Sequence, residues 1–211
     1  MRRRCFGAIT LTLLVIGSAD ALGQVPRRFE LTPYAAHRFG GSFEHEDGTT
    51  SIDLDDANGF GLIFNVRESA KTQWEVIYAR QDTSADTSSV AGLATSTDVR
   101  FEHLQGGGTY EFDARPGWQP FLAATLGGTH VTPRWAGLQG DTFWSMSIGT
   151  GVAIRPSARI GFRLEARVWG MLVDSDTRLF CISSGGATCE IEIDGRVLWQ
   201  LETFAGVTVR F

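Results

Sequence analysis

Charged residues alternate along one stretch in the last third of the chain. Arg163, Glu165 and Arg167 are separated by single uncharged residues, so in an extended strand their side chains point to the same side. Glu75 and Glu202 occupy similar polar positions in two other extended stretches. These residues can form either a polar conduit with a gate or a salt-bridge network that fills a closed interior. We favour the network, because the interior of a small closed sheet is packed with side chains.

Two cysteines could form a cross-link. Cys181 and Cys189 flank a short segment that contains Gly185 and Gly186. The glycine pair allows a tight reversal, so we expect a disulfide that closes this small loop. The rival interpretation is a metal site, but no histidine lies close in sequence and two thiols alone are a poor site.

Other reactive residue types lack a complete catalytic or metal-binding set. His130 and Thr132 share one strand face, but a hydrolase also needs an orienting acid and oxyanion donors, and no carboxylate follows soon after them. The first polar stretch is acidic without EF-hand spacing, which favours a solvated loop over a calcium site. Its acidic residues are Glu44, Glu46, Asp47, Asp53, Asp55 and Asp56. We therefore expect no catalytic residues, no metal site and no cofactor.

The stretches that carry these residues alternate between apolar and polar positions, which indicates β-strands. The clearest is 197–211, with fifteen alternating residues. In 98–112 the apolar residues change from odd to even positions, and the Gly106–Gly108 run can hold a β-bulge that flips the register. Eight strands are predicted, within residues 29–39, 58–66, 73–82, 98–112, 118–130, 143–154, 160–172 and 197–211.

Long and short connections alternate between these strands. The long ones are residues 40–57, 83–97, 131–142 and 175–195, and the short ones are 68–71, 113–117 and 155–158. An up-and-down antiparallel sheet with all long loops at one rim and all short turns at the other produces this order.

The first 23 residues have the three regions of an export signal. Arg2, Arg3 and Arg4 precede an apolar stretch from Phe6 to Gly17, and a small-x-small cleavage site follows at residues 19–21, with a cut after residue 23 as a close alternative. We therefore predict a cleaved signal peptide at 1–23 and one domain at 24–211. Removing three arginines and one aspartate changes the formal net charge from −5 to −7. An acidic chain without a basic patch argues against a nucleic-acid partner.

Two features favour a sheet that closes in a membrane, with its apolar face toward lipid. A soluble barrel such as a lipocalin would place the apolar face inside, whereas here charges of both signs occur at mid-strand on the polar face. Aromatic residues also gather toward the strand ends, as at the two interfaces of a bilayer. Toward the short-turn rim they are Trp74, Tyr110, Trp118, Phe162 and Phe211; toward the long-loop rim they are Phe39, Phe60, Trp144 and Trp199.

The chain ends in an alternating apolar strand whose last residue is aromatic, with Val207, Val209 and Phe211 on one face. This ending resembles the assembly signal of Gram-negative outer-membrane proteins, and the whole chain after residue 23 resembles the small eight-stranded outer-membrane barrels of the OmpA, OmpX and OmpW type. The resemblance implies an all-β, eight-stranded antiparallel transmembrane barrel in the cell outer membrane. It implies insertion by the barrel-assembly machinery, with outer-membrane lipid and lipopolysaccharide as partners.

The expected function is structural or an interaction at the cell surface through the long loops, without enzymatic activity. The alternative is a narrow pore or a transporter of small hydrophobic molecules. A third hypothesis, a soluble lipocalin-like binder, requires the opposite orientation of the two strand faces.

Overall fold

The computed structural model describes residues 28–44, 51–86, 96–134, 140–173 and 197–211. The predicted signal peptide at 1–23 and the predicted disulfide between Cys181 and Cys189 lie outside these residues, as do Glu46 and Asp47 of the acidic stretch. Within the described residues, no helix is long and apolar enough to cross a membrane.

The described residues form ten strands. Their bounds are β1 Phe29–Phe39, β2 Ser42–Glu44, β3 Ser51–Asp53, β4 Ala57–Arg67, β5 Thr72–Asp86, β6 Ser96–Glu111, β7 Gln119–Pro133, β8 Asp141–Ile154, β9 Ile160–Leu172 and β10 Val197–Arg210. Eight of them form a closed antiparallel barrel in the order β1-β4-β5-β6-β7-β8-β9-β10. The remaining two, β2 and β3, pair as a small hairpin within the first long connection.

The first and last strands join to close the sheet. Leu31 pairs with Val209 and Phe39 pairs with Leu201, so β1 and β10 run side by side over most of their length. At the end of this seam the backbone N–H of Phe29 donates to the carbonyl of Phe211, and the N–H of Phe211 donates back. The predicted eight-stranded up-and-down barrel is confirmed.

The two faces of each strand meet different surroundings, as the alternation predicts. Large apolar side chains point outward: Trp144 is 66% exposed and Val209 is 44% exposed, whereas Arg167 is fully buried in the lumen. The lipocalin-like alternative requires the reverse arrangement and is wrong. All nine aromatic residues predicted at the rims are exposed.

Strand β6 corrects one detail of the prediction, because the register does not flip at its glycine run. Gly106, Gly107 and Gly108 pair one-to-one with Val76, Glu75 and Trp74, and odd-numbered residues point inward along the whole strand. Val99 and Phe101 therefore lie in the lumen. The parity of the apolar residues changes because the lumen itself changes along the barrel, from polar near the short turns to apolar near the long loops.

The strands next to the second long connection are also longer than predicted. β5 runs to Asp86 and β6 begins at Ser96, and they pair along this entire length. The expected loop at 83–97 is therefore strand at both ends. Hydrophilic residues there do not interrupt the sheet, because β-strands beyond an apolar band can face water on their outer side.

Spin labelling tests the continuous register of β6. A nitroxide is attached to a cysteine that replaces either Phe101 or Leu104, and its collision rate with oxygen dissolved in the bilayer is measured. The rate should be high at position 104 and low at position 101. A second pair at Thr109 and Tyr110 should show the same parity, low at odd and high at even. A bulge at the glycine run would reverse the parity between the two pairs, and that result would refute the observed register.

Candidate functional site

The charged residues predicted on β9 point into the barrel because they occupy alternate positions of one strand. Arg163, Glu165 and Arg167 all face the lumen, and their side chains are between 0% and 7% exposed. Glu75, on β5 across the lumen, is equally buried. A buried charge is tolerated only when it is paired and hydrogen-bonded.

These four residues form a closed network, here called the central network, in which each guanidinium contacts both carboxylates. Arg163 Nη2 lies 2.9 Å from Glu75 Oε2 and 2.6 Å from Glu165 Oε2. Arg167 Nη2 lies 2.6 Å from Glu75 Oε1, and its Nε lies 2.7 Å from Glu165 Oε1. Two cations and two anions cancel in formal charge, and Thr109 Oγ1 adds a hydrogen bond of 2.7 Å to Glu75.

Small residues on the neighbouring strand make room for this network. Gly149 on β8 faces inward, and a Cβ atom added there would collide with Glu165 Oε1, which is already held by Arg167. The guanidinium of Arg163 lies over the ring of Phe121, with its central carbon 4.3 Å from the ring centre. The central network is thus in close contact with neighbouring residues in addition to being held by its ion pairs.

Glu202, predicted to belong with these four residues, pairs with a different cation. Arg38 Nε donates to Glu202 Oε2 at 2.9 Å, and its Nη2 contacts the same oxygen. Arg38 lies on β1 opposite Glu202 across the closing seam. Arg38 was not predicted as a partner of Glu202, although its inward position on the first strand identifies it once the first and last strands are paired antiparallel.

His103 completes this second cluster. Its Nε2 lies 2.5 Å from Arg38 Nη1 and its Nδ1 lies 2.6 Å from Thr129 Oγ1. Because a guanidinium can only donate, Nε2 must accept and Nδ1 carries the proton, so the imidazole is neutral. The ring also lies 4.4 Å from the ring of Trp169, which Arg38 approaches to 4.9 Å.

A third group of charges lies at the short-turn end. Arg67 bridges Glu30 at 3.0 Å and Glu111 at 3.2 Å, and Arg155 contacts Glu111 from the opposite side. A cavity of about 20 Å³ beside this group has room for one water molecule. These pairs were not predicted, because their members are far apart along the chain.

The long-loop end of the lumen is filled by apolar side chains, here called the outer plug. Leu54, from the first long connection, reaches into this end, and its backbone N–H donates to the carbonyl of Gly41. The outer plug consists of Leu54, Ala85, Val99, Phe101, Val131, Phe143, Met171, Val173 and Leu198. The lumen is therefore filled in layers, with the buried charges nearer the short turns and the outer plug at the long-loop end.

A second apolar cluster lies beside the charges. Ile63, Ile77 and Ala79 face inward from β4 and β5, and Tyr34 stacks on Phe204 with ring centres 4.2 Å apart. The lumen is consequently less polar than the polar strand face that the alternation predicts.

His130, the histidine considered for hydrolysis, makes its hydrogen bond to a neighbouring threonine and to no carboxylate among the described residues. His130 points outward, and its Nδ1 lies 2.8 Å from Thr142 Oγ1 on the neighbouring strand. In the acidic stretch, Glu44 lies in β2, Asp53 lies in β3, and Asp56 accepts a hydrogen bond from the backbone of Gly40. Among the described residues, no group of three or more histidine, cysteine, aspartate and glutamate side chains is arranged to hold a metal ion.

The residues of the predicted assembly signal lie on the outer face. Val207, Val209 and Phe211 are 43%, 44% and 59% exposed. They form one apolar edge of the closing seam, next to Phe29, whose ring centre is 6.0 Å from that of Phe211.

The barrel resembles solved outer-membrane proteins of bacteria at low sequence identity. Neisserial surface protein A matches with a TM-score of 0.60 and 19% identity, over 87% of this chain and 97% of the other. OprG from Pseudomonas aeruginosa gives 0.53 and 14% identity, over 87% and 95%. Outer membrane protein AlkL in lipid bilayers gives 0.50 and 11% identity, over 93% and 95%. No protein-family profile and no curated protein sequence matches the chain. The predicted resemblance to small outer-membrane barrels is confirmed for the fold.

Replacing Arg167 with leucine should destabilise the barrel strongly. The variant leaves Glu75 and Glu165 buried with one cation between them, which typically costs about 3 to 5 kcal/mol. The free energy of unfolding in lipid vesicles, from urea titration followed by gel migration, measures the effect.

The matched control is Lys71→Met, which also breaks an ion pair. Lys71 Nζ lies 2.7 Å from Asp113 Oδ1 in the short turns. Its hydrogen bond lowers the pKa of the Asp113 carboxyl, but both side chains are exposed and solvent screens the pair. The unfolding free energy should therefore hardly change. Equal losses in the two variants would contradict a structural role for the central network.

Two glycine-to-alanine variants test whether the network is tightly packed. Gly149→Ala should destabilise the barrel by about 1 to 3 kcal/mol, because the added methyl group meets a carboxylate that its partners hold in place. Gly106→Ala has open space around the new atom and should stay within about 0.5 kcal/mol of the parent. If both variants unfold at the parent's urea concentration, the lumen is looser than the structure indicates.

Proposed function

We propose that this chain, which has the fold of the small outer-membrane barrels, is an outer-membrane protein with a structural or surface-interaction role and a lumen that does not conduct. The filled lumen is the observation that carries the proposal. Arg38, Glu75, Arg163, Glu165 and Arg167 are all buried inside it. An ion moving along the axis would have to break pairs that are shielded from water.

The outer surface supports placement in a membrane. Each of the eight barrel strands carries at least one leucine, valine, isoleucine or phenylalanine side chain that faces away from the axis and is exposed. Exposed apolar patches of this size are rare on soluble proteins. Aromatic residues border the apolar surface at both rims, as at the two interfaces of a bilayer.

The long connections supply the interaction role. They all leave the barrel at the same rim, which in outer-membrane barrels faces the exterior of the cell. The paired extensions of β5 and β6 and the β2–β3 hairpin project from this rim, so the backbone there is partly ordered before any partner binds. Such a platform is suited to presenting loops outside the cell.

A second candidate function, transport of small hydrophobic molecules, is favoured by the outer plug. An apolar molecule entering from the long-loop rim would meet Phe101, Phe143 and Leu198 rather than charges. Leu54 would have to leave for entry to occur. The central network below would stop passage along the axis, so such a molecule would have to leave through the wall.

Recordings in planar bilayers test the proposed function. The refolded barrel should first show the faster gel migration of an unheated, detergent-resistant barrel, which establishes insertion-competent protein. It should then give no steady conductance steps. The Leu54→Ala variant, which opens only the outer plug, should remain silent as well. Steady unit steps from the parent barrel would refute the closed lumen. Failure to insert would refute placement in a membrane.

A further inference from the structure

Three arginines converge on one carboxylate at the outer face of the barrel, near the long-loop rim. Arg80 donates to Asp82 Oδ2 from Nε at 3.2 Å and from Nη2 at 3.1 Å. Arg100 Nε donates to Asp82 Oδ1 at 2.8 Å, and Arg134 Nη2 donates to the same oxygen at 2.9 Å. These four residues are here called the outer arginine cluster.

The cluster is built by the register of three neighbouring strands. Arg80 and Asp82 are outward positions of β5, and Arg100 is the outward residue of β6 that pairs with Asp82. Arg134 follows β7 directly, and its backbone N–H donates to the carbonyl of Asp98. Among the described residues, these three are the outward-facing arginines or lysines of the long-loop half of the barrel.

Two observations place the cluster at the depth of lipid headgroups. The guanidinium of Arg80 lies over the ring of Phe60, 5.9 Å from its centre, and Phe60 belongs to the aromatic residues of the long-loop rim. One position below, Tyr78 points its hydroxyl up to Glu102 at 2.8 Å. Aromatic side chains with a polar tip settle at the boundary between hydrocarbon and headgroups. The cluster begins at that boundary and extends away from the apolar surface.

Carboxylates also face this surface and set the charge balance. Glu102 accepts from Tyr78, Asp98 accepts from Ser84 Oγ at 3.4 Å, and Asp82 lies between the arginines, so three anions match three cations. The pairing is uneven, however, because all three guanidiniums contact the single carboxylate of Asp82. Their bonds to it use four of the fifteen N–H groups that three guanidiniums carry. An open cleft of about 160 Å³ lies between Asp82, Asp98 and Arg134.

We propose that the outer arginine cluster binds a phosphate group of the outer-leaflet glycolipid, the lipid A part of lipopolysaccharide. Guanidiniums bind phosphate oxygens through paired, charge-assisted hydrogen bonds, and three of them held around one small anion have the arrangement that such a group needs. Below the cluster, Leu104 and Leu126 are 61% and 58% exposed and provide an apolar wall for acyl chains. The inference rests on the outer-membrane placement proposed above.

Binding to defined lipids tests this site. The folded barrel in mild detergent is titrated with bis-phosphorylated lipid A, with the same lipid after removal of its phosphates, and with phosphatidylglycerol, and bound lipid is counted by native mass spectrometry. We expect lipid A to bind about tenfold more tightly than either of the other lipids, since a charge-assisted hydrogen bond to phosphate changes the affinity by about a factor of ten. Raising the ionic strength should weaken the binding.

Two variants change the affinity in opposite directions. The triple variant R80Q/R100Q/R134Q should lose about tenfold in affinity for lipid A. Asp82→Asn removes the competing anion and should tighten binding. The matched control is R28Q/R115Q/R159Q, which removes three exposed arginines from the short-turn rim and should bind like the parent. A purely structural ion network would predict weaker folding in the Asp82 variant and no gain in affinity.

Specific results would overturn the assignment. Equal binding of lipid A and its dephosphorylated form would show that phosphate is not recognised. Equal binding of phosphatidylglycerol would show a general anionic-lipid surface, and displacement of lipid A by millimolar inorganic phosphate would point to a free anion. Heat-modifiable migration of every variant is recorded in parallel. A parent that never forms the resistant barrel refutes the proposed placement instead, so the two failures are distinguishable.

Discussion

Closure of the sheet along the β1–β10 seam is the constraint on which the rest of the structure depends. Pairing from Leu31–Val209 to Phe39–Leu201 leaves no free strand edge in the barrel. A membrane demands this, because hydrocarbon offers no partner to an unpaired backbone group. The same seam brings Arg38 opposite Glu202, so one set of backbone hydrogen bonds both completes the wall and creates an ion pair inside it.

A barrel of eight strands is narrow, and its interior must therefore be filled rather than lined. Polar filling requires matched charges, and Glu75 meets this by accepting from both Arg163 and Arg167 across the lumen. Apolar filling requires only shape, and the outer plug meets it with Phe101 and Phe143 beneath Leu54. Both solutions occur in one barrel at different heights. Consequently the inside cannot be described by a single polarity.

The sequence is sufficient to predict features that depend on the two-residue alternation of apolar and polar side chains. This alternation assigns the outward and inward faces of β1, β4, β5, β8, β9 and β10, and the alternation of long and short loops predicts the two rims. Alternation fails where the polarity of the lumen changes along the barrel axis. Val99 and Phe101 are apolar and therefore look lipid-facing, but they lie in the apolar end of the lumen. It also fails for partners distant in the chain: Arg67 with Glu30 and Glu111 joins three strands, and Arg38 with Glu202 needs the closing register. Parity locates a charge inside, but only the barrel's shear selects its partner.

Arginine shows how position, rather than residue type, decides what a side chain does here. Arg167 is inward and central, where its side chain is shielded from solvent and every N–H needs a fixed acceptor, so its pairs with Glu75 and Glu165 hold strands together. Arg67 is inward near the short turns, at the edge of solvent, and bridges two carboxylates while remaining partly exposed. Arg80 is outward at the aromatic rim near the long loops, where it pairs with Asp82 and lies over the ring of Phe60. A guanidinium inside the lumen must pair with buried carboxylates, so the inward arginines join strands. A guanidinium on the outer face is in reach of solvent and ligands, so the outward arginines are the ones available to the proposed lipid site.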